Sequence, residues 1–404
     1  MTDKEILKNN RNVFRILRWV LLGAVLVSST VLGLAHQFPL FGWTPPGVDA
    51  LCPFGGLEAA WKLLSSGGFL QRVAASSVVL LVGTIVLLVV GRRAFCGQFC
   101  PLGTLQELVG NLGKKVLKKK WEMPQWLDKG ARYLKYGVLV GILILTWVMA
   151  DLILRPFDPW VAYHHLSSAE LLTDFAIGFG ILLLSLAGSF FYERFFCKYL
   201  CPMGAALAPL ARFSPLKLER TVATCIDCKL CDKACPMNII VSESTRVKSA
   251  ECIDCGLCVA ACPVKDTLNY QAPGNKNVKL WVVPALAASV MTLVVLVGTL
   301  AGQFNWTILK HEELQEVAKV EAQELGVIPA TYDPSLIRGR DSFQVIADSS
   351  GLPKQGFLDK FKISELEYVK PIKDSTVKYG FTVDAVRVYV AESLGLPPPI
   401  LEGH

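Results

Sequence analysis

Apolar residues gather into five runs, at about residues 13–36, 73–90, 133–154, 171–192 and 280–303, with polar stretches between them. Each run approaches or exceeds the roughly 20 residues that a helix needs to cross the hydrocarbon core of a bilayer. The pattern therefore predicts about five transmembrane helices. Residues 305–404 read differently. Short helices are expected there at residues 312–325, 342–349, 354–361 and 383–394, with Gly351-Leu352-Pro353 and Gly380-Phe381 as caps and turns. That stretch has the composition of a small soluble helical domain. Residues 211–275, between the fourth and fifth runs, hold no spanning run.

The first four runs contain a repeat. Leu51-Cys52-Pro53-Phe54 leads to Leu64-Ser65-Ser66, and Leu154-Arg155-Pro156-Phe157 leads to Leu166-Ser167-Ser168. Each unit continues into an apolar run and then into Cys-x-x-x-Cys-Pro-x-Gly, preceded by Arg93-Ala94-Phe95 in one case and Arg194-Phe195-Phe196 in the other. The two units point the same way through the membrane, so a pseudo-twofold axis along the membrane normal is expected.

Composition supports the membrane reading: 52% of residues are hydrophobic and 19% charged, against about 25% charged in a soluble chain. The net charge of +7 reports topology and not nucleic-acid binding, because Lys and Arg cluster in particular loops. Arg11, Arg15 and Arg18 precede or open the first run, which is longer than the core of a cleavable signal and reads as a retained anchor. The loop after the second run carries Arg92, Arg93, Lys114, Lys115, Lys118, Lys119, Lys120, Lys129 and Arg132, whereas the loops on the other side offer Lys62, Arg72 and Arg155. The N-terminus, the basic loop and residues 193–279 are then expected in the cytoplasm of a multi-pass inner-membrane protein, and residues 304–404 outside it. The lysine run 114–120 reads as a face for anionic lipid, or more sharply as a dock for an acidic partner.

The chemistry lies in the cysteines. Twelve of the thirteen fall into four blocks. Cys225-Ile-Asp-Cys228-Lys-Leu-Cys231-Asp-Lys-Ala-Cys235-Pro236 and Cys252-Ile-Asp-Cys255-Gly-Leu-Cys258-Val-Ala-Ala-Cys262-Pro263 are ferredoxin runs. In two-cluster bacterial ferredoxins the fourth ligand of each cube comes from the other run. One [4Fe-4S] cluster is thus expected on Cys225, Cys228, Cys231 and Cys262, and a second on Cys252, Cys255, Cys258 and Cys235. A zinc site does not explain a duplicated eight-cysteine pattern ending in Cys-Pro. The thiolates must stay reduced, which agrees with the cytoplasmic side. The blocks Cys96-Gly-Gln-Phe-Cys100-Pro101 and Cys197-Lys-Tyr-Leu-Cys201-Pro202 each offer two thiols on one face of a helical turn. Paired across the repeat, Cys96, Cys100, Cys197 and Cys201 can hold a third iron–sulfur cluster at the membrane boundary. Metal or thiol chemistry and simple burial at helix ends stay open beside it. Gly103 and Gly204, at matching places, are expected to let backbone pass close to that cluster.

Weaker features lie on the outer side. His164, His165, Asp151 and His36 are candidates for a quinone site, where imidazole and carboxylate exchange protons; snorkelling at the interface is the plainer reading, and few histidines argue against haem. Cys52 has no cysteine counterpart in the second unit, where Arg155 occupies the place, and reads as a buried thiol. No flavin or nucleotide fingerprint is present, and no complete substrate site is identifiable, so a partner subunit is expected to supply any two-electron step.

Two Cys-x-x-x-Cys-Pro blocks at helix ends followed by two ferredoxin runs resemble the membrane polyferredoxins, over about residues 10–270. That group includes the quinol dehydrogenase subunit of periplasmic nitrate reduction, the membrane part of the nitrous-oxide-reductase regulator and the cytochrome oxidase assembly ferredoxin. The resemblance implies electron exchange between the quinone pool and a redox partner, with the twelve clustered cysteines as ligands. Two departures stand out: a fifth spanning helix with an outer tail, which the nitrate-reduction member lacks, and no N-terminal flavin-binding domain, which the regulator has. The expected architecture is a mostly α membrane protein: a four-helix domain over residues 1–210 made of a duplicated two-helix unit, an inserted α+β two-cluster ferredoxin domain over 211–275, a fifth transmembrane helix over 276–304 and a small helical domain over 305–404. The expected role is one-electron relay between a cytoplasmic-side or membrane donor and the quinone pool within a larger complex, with the outer tail able to dock an extracytoplasmic subunit. The alternative is an assembly or regulatory factor that reduces a metal such as copper for another enzyme.

Overall fold

Apolar chain in a bilayer must satisfy its backbone groups internally, and each of the five apolar runs contains a helix. In order, the first part of the chain forms α1 (Asp3–Gln37), α2 (Pro53–Ser66), α3 (Ala75–Gly91), α4 (Pro101–Leu117), α5 (Gln125–Ala131), α6 (Leu134–Met149), α7 (Pro159–His164), α8 (Ala176–Phe191), α9 (Phe195–Tyr199), α10 (Pro202–Leu210), β1 (Lys217–Arg220), α11 (Leu230–Ala234), α12 (Leu257–Ala261), β2 (Leu268–Ala272), β3 (Lys276–Val278) and α13 (Val282–Leu300). The computed structural model describes residues 3–38, 45–47, 51–66, 75–118, 121, 123–149, 154–168, 171–274, 276–304, 306, 332–339 and 341–396. The chain is mostly helical and divides into two compact units, residues 1–307 and 308–404.

Among the described residues, two helices are long and apolar enough to cross a membrane, Asn9–Gln37 within α1 and Val282–Leu300. The helices in the other three runs have 17, 16 and 16 residues. At about 1.5 Å per residue they reach about 25 Å, a little less than the roughly 30 Å hydrocarbon core. The fourth run loses its first turn because Thr173 and Asp174 favour local turns over helix. Residues 150–153, expected to finish the third run, lie outside the described residues.

The two repeat units pack reciprocally. α2 lies against α3, and α7 lies against α8; α2 also meets α6, the first long helix of the other unit, while α7 meets α1. Likewise α4 packs on α1 and α10 on α6. Pro53 opens α2 and Pro159 opens α7, where the Asp158 carboxylate accepts from the Trp160 N–H at 2.8 Å. Asp158, before its proline, is therefore the structural counterpart of Cys52. Arg155, expected to match it, lies instead in a 3₁₀ turn, Arg155–Phe157. α13 packs on α3 and α1.

The ferredoxin part forms an antiparallel sheet in the order β1-β2-β3. Leu218 faces Tyr270 across β1 and β2, and Tyr270 faces Val278 across β2 and β3, so the sheet runs past residue 275. Its buried face joins Leu218, Leu268 and Tyr270 to Val241, Val247 and Val283 of α13. Arg92 donates to the carbonyls of Val247 and Ser249, Arg93 to that of Ala250 at 2.8 Å, and Arg132 to that of Met237 at 2.7 Å. The basic residues read as a topology signal thus also seat the ferredoxin part on the helices.

In the second unit, residues 312–325 lie outside the described residues. The expected helices at 342–349, 354–361 and 383–394 appear as Phe343–Ser350, Lys354–Phe361 and Val383–Ser393, joined by Glu365–Tyr368 and Ile372–Tyr379. The unit is itself a repeat. Phe343, Gly351, Phe357 and Phe361 correspond at one constant offset to Ile372, Gly380, Val386 and Val390, all the apolar ones in one buried core. Ser342 and Pro371, which open the two copies, form a β-bridge. Gly351 and Gly380 end their helices at φ of 73° and 71°, the left-handed cap that favours glycine.

Candidate functional site

Two cavities in the ferredoxin part are lined by thiols. One is bounded by Cys252, Cys255, Cys258 and Cys235, with Tyr270 on its wall. The other is bounded by Cys225, Cys228, Cys231 and Cys262, with Thr267 beside them. Around each cavity three cysteines come from one run and the fourth from the other. Asp227, Lys229, Asp254 and Gly256 take positive φ, which curls the backbone so that neighbouring cysteines face inward. The Ile239 N–H donates to Cys235 Sγ at 3.4 Å. The first cavity is enclosed, with its four cysteines buried, whereas Cys228 of the second is exposed.

The two Cys-x-x-x-Cys-Pro blocks fold as matching turns. The Cys100 N–H donates to the Phe95 carbonyl at 2.9 Å and the Cys201 N–H to the Phe196 carbonyl at 2.9 Å, widened i to i+5 turns of a kind often found at functional sites. Pro101 and Pro202 then start α4 and α10, where a missing N–H costs nothing. The thiols of Cys100 and Cys201 sit at the helix N-caps, and Cys201 Sγ accepts from the Gly204 N–H at 3.3 Å. The N-terminal end of a helix dipole favours the thiolate form. The four thiols lie within electrostatic reach of one another: Cys100 feels Cys96 and Cys197, and Cys201 feels all three others. Burial first, and then these neighbours, push Cys100 and Cys201 up.

Gly103 and Gly204, expected to admit backbone, are also approached by side chains. A Cβ on Gly103 would lie 2.7 Å from Arg194 Nη1, and one on Gly204 would lie 2.9 Å from Arg93 Nη2. Each glycine makes room for the arginine of the opposite unit. Arg194 also donates to the Cys96 carbonyl at 2.8 Å. Both guanidiniums are buried and tied to carboxylates. Arg194 and Arg18 each reach Glu107 at 2.7 Å, and Lys135 at 2.5 Å and Arg93 at 3.9 Å reach Glu251. Burial works against ionisation of Glu107, but Arg194 and Arg18 outweigh it and hold the carboxyl at about 2. The charge of Arg93 is opposed by burial and upheld by Cys96, Glu251 and Cys201, so this arginine stands beside thiols of both units. In the sequence Arg18 and Arg93 read as topology and Arg194 as part of the repeat, and nothing there singles out Lys135, Glu107 or Glu251. The repeated Arg-x-x-Cys spacing was the available signal.

The first Cys-x-x-x-Cys turn rests directly on the enclosed cavity. Cys96 packs against the group formed by Cys235, Met237, Ile253 and Cys255. A Cβ on Gly97 would lie 2.2 Å from the Ile253 carbonyl oxygen, and Gln98 donates to the Asp254 carbonyl at 2.9 Å. The matching residue of the second block is Lys198, which is buried.

These residues fit multi-iron clusters. Each donor set is four thiols, and among the described residues no three His, Cys, Asp or Glu side chains approach closely enough to hold a single metal ion. The Nε atoms of Arg18, Arg93 and Arg194 are buried without a hydrogen-bond acceptor.

His36 Nδ1 lies 2.9 Å from the Pro45 carbonyl and His165 Nδ1 lies 2.9 Å from that of Val161. His164 packs edge-on to Trp160 and Tyr163, and so closely on α1 that a Cβ on Gly33 would lie 1.8 Å from its Nδ1. Asp151 lies outside the described residues. Cys52 is enclosed near Asp158 and Glu58, and Glu58 accepts from the Thr146 hydroxyl at 3.1 Å. Lys114, expected on a lipid-facing run, pairs with Glu193; Lys119 and Lys120 lie outside the described residues.

Comparison with known proteins agrees with this geometry. A 4Fe-4S binding domain family matches residues 73–124 and 175–221, the two units with their Cys-x-x-x-Cys turns, and a 4Fe-4S dicluster domain family matches residues 217–263. YccM of Escherichia coli, assigned by its name to electron transport, is 33% identical over 266 residues, 62% of this chain and 71% of YccM. NirI of Paracoccus denitrificans is 30% identical over 51% of this chain and 30% of its own. The ferredoxin-type protein NapH of Haemophilus influenzae is 28% identical over 43% of this chain and 59% of its own. No solved structure matches the chain. The chain belongs to the membrane polyferredoxin family, whose 4Fe-4S domains carry electrons at a membrane.

Proposed function

We propose that the chain relays electrons one at a time between the quinone pool and a redox partner on the cytoplasmic side, as a subunit of a larger oxidoreductase complex. The observation that carries this reading is the seat of the Cys96-Gly97 turn on the loop of Cys255, which leaves no gap between the membrane-side thiols and the enclosed ferredoxin cavity. Bound at the three thiol sets, [4Fe-4S] clusters supply one-electron transfer. Cys96, Cys100, Cys197 and Cys201 would hold the first, Cys235, Cys252, Cys255 and Cys258 the second, and Cys225, Cys228, Cys231 and Cys262 the third. α11 and α12 lie side by side and bring the two ferredoxin sets together. The exposed Cys228 marks the end at which a soluble partner would meet the chain.

At the other end, the apolar cluster that contains Trp160, Leu102 and Phe196 has Cys100 and Cys201 at its edge. Trp160 stacks on Tyr163 at 4.8 Å and meets His164 at 4.7 Å. This packed aromatic path supports a quinone headgroup near His164, His165 and His36, where imidazole would exchange its protons. With five spans, the bias of basic residues would leave the thiols in the cytoplasm and residues 305–404 outside, where they could dock an extracytoplasmic subunit.

The test is iron and acid-labile sulfide per anaerobically purified chain. The expected content is about twelve iron, falling to about eight in Cys96→Ser/Cys197→Ser. About eight in both would remove the membrane-side cluster and with it the relay. A reporter fused after Gln303 should report an extracytoplasmic position; a cytoplasmic report would contradict the five-span topology.

A further inference from the structure

The two buried cation groups around the membrane-side thiols have the same make-up. Arg18 and Arg194 share Glu107, and Lys135 and Arg93 share Glu251. Each group holds two cations against one carboxylate and so keeps one positive charge that its own acid does not cancel. Among the described residues, three other ion pairs on this side are balanced one to one: Arg92 with Asp254, Arg132 with Asp128, and Lys114 with Glu193. Desolvating an ion is costly unless an opposite charge meets it, and buried excess cations therefore call for a buried anion. Arg93 stands beside Cys96 of its own unit and Cys201 of the other, and Arg194 beside Cys197 and the carbonyl of Cys96. A Cβ on Gly103 or Gly204 would crowd these guanidiniums.

We propose that Arg93 and Arg194, each crossing into the opposite unit, are the electrostatic partners of the membrane-side thiol set and make the cluster held there easier to reduce than its four thiolates alone would. This rests on the three-cluster reading above. An oxidised cube on four thiolates is already a dianion, and the added electron raises its negative charge. Fixed positive charge in a dry site stabilises the more negative form most, because low local polarisability weakens screening. Glu107 and Glu251 moderate the effect and position the guanidiniums. Arg18 and Arg194 also act on Cys255 of the ferredoxin part, at the side that meets the first Cys-x-x-x-Cys turn.

The experiment is an EPR-monitored redox titration of the full chain in detergent, with iron content measured on the same samples. Arg93→Gln and Arg194→Gln should each shift the reduction equilibrium of the membrane-side signal at least tenfold toward the oxidised form, about 59 mV for one electron, with iron content unchanged. Glu107→Gln and Glu251→Gln should shift it the opposite way. Arg194→Lys, which keeps the charge, should stay within about threefold of the parent. Opposite signs for cation and carboxylate variants are what a merely structural role would not give. If an Arg→Gln variant fails to assemble, the two carboxylate variants still decide the sign. An unmoved potential, or shifts of one sign in all variants, would overturn the proposal with the third cluster intact. A parent protein with about eight iron and no third signal would overturn the three-cluster reading itself.

Discussion

The two ferredoxin runs are nearly the same word, Cys-Ile-Asp-Cys-x-Leu-Cys, set in opposite surroundings. Ile226 of the first run is 64% exposed, whereas Ile253 of the second is 2% exposed. Asp227 faces solvent, whereas Asp254 is buried beside Arg92 at 3.7 Å. The differing residue in the motif shows why. Lys229 and Gly256 occupy the same left-handed position, at φ of 53° and 73°. At Lys229 the side chain is free to enter solvent. At Gly256 a Cβ would lie 2.8 Å from the ring of Phe14 in α1 and 3.0 Å from Leu280. Glycine is needed where the loop is pressed against the helices, and lysine is tolerated where it is not. One motif, duplicated, has become an inner site joined to the Cys96 turn and an outer site with an exposed cysteine.

The contrast can be broken most severely at the ligands. Cys262→Ser should empty the outer cavity, with a loss of about four iron, although Cys262 belongs to the inner run by sequence; Cys235→Ser should empty the inner one. Iron content and the EPR signal that survives decide it, and loss of the other signal in either variant would contradict the crossed grouping. Ile253→Ala should cost about 2–5 kcal/mol through the cavity it leaves, and Ile226→Ala less than about 0.5 kcal/mol, read by thermal unfolding of the holoprotein. Equal costs would mean that the inner loop is not packed as described. Exchanging the distinguishing residues should give a smaller effect of the same asymmetry: Gly256→Lys costs about 1–3 kcal/mol by overpacking against Phe14, and Lys229→Gly stays within about 1 kcal/mol.

What the sequence made legible follows from the range of the interactions. Ligand spacing, Cys-Pro ends and helix-forming apolar runs are local, and the Cys-x-x-x-Cys blocks could be matched because the repeat brings them together. Features set by distant approach were out of reach. Arg18 meets Glu107 far along the chain, Gly97 is read as small only once the Ile253 carbonyl is seen above it, and the arginines beside Gly103 and Gly204 come from the opposite repeat unit. Ile372–Tyr379 was missed because Lys373, Asp374, Ser375 and Thr376 weaken its helical stripe, although its core position is held by Ile372 and the Gly380 cap. Asp158 matched Cys52 only in three dimensions, since the sequence repeat aligned Pro156 and not Pro159 with Pro53.

The Cys252 set stands between the Cys96 turn and the Cys225 set, through the packing of Cys96 on Cys255 and of α11 on α12. The most direct test is spin–spin coupling between reduced clusters, measured by pulsed EPR in the parent protein and in Cys225→Ser and Cys252→Ser. The expected result is a strong coupling between the membrane-side cluster and the Cys252 cluster that survives Cys225→Ser and disappears in Cys252→Ser. A coupling of the membrane-side cluster that disappears in Cys225→Ser and survives in Cys252→Ser would contradict the account.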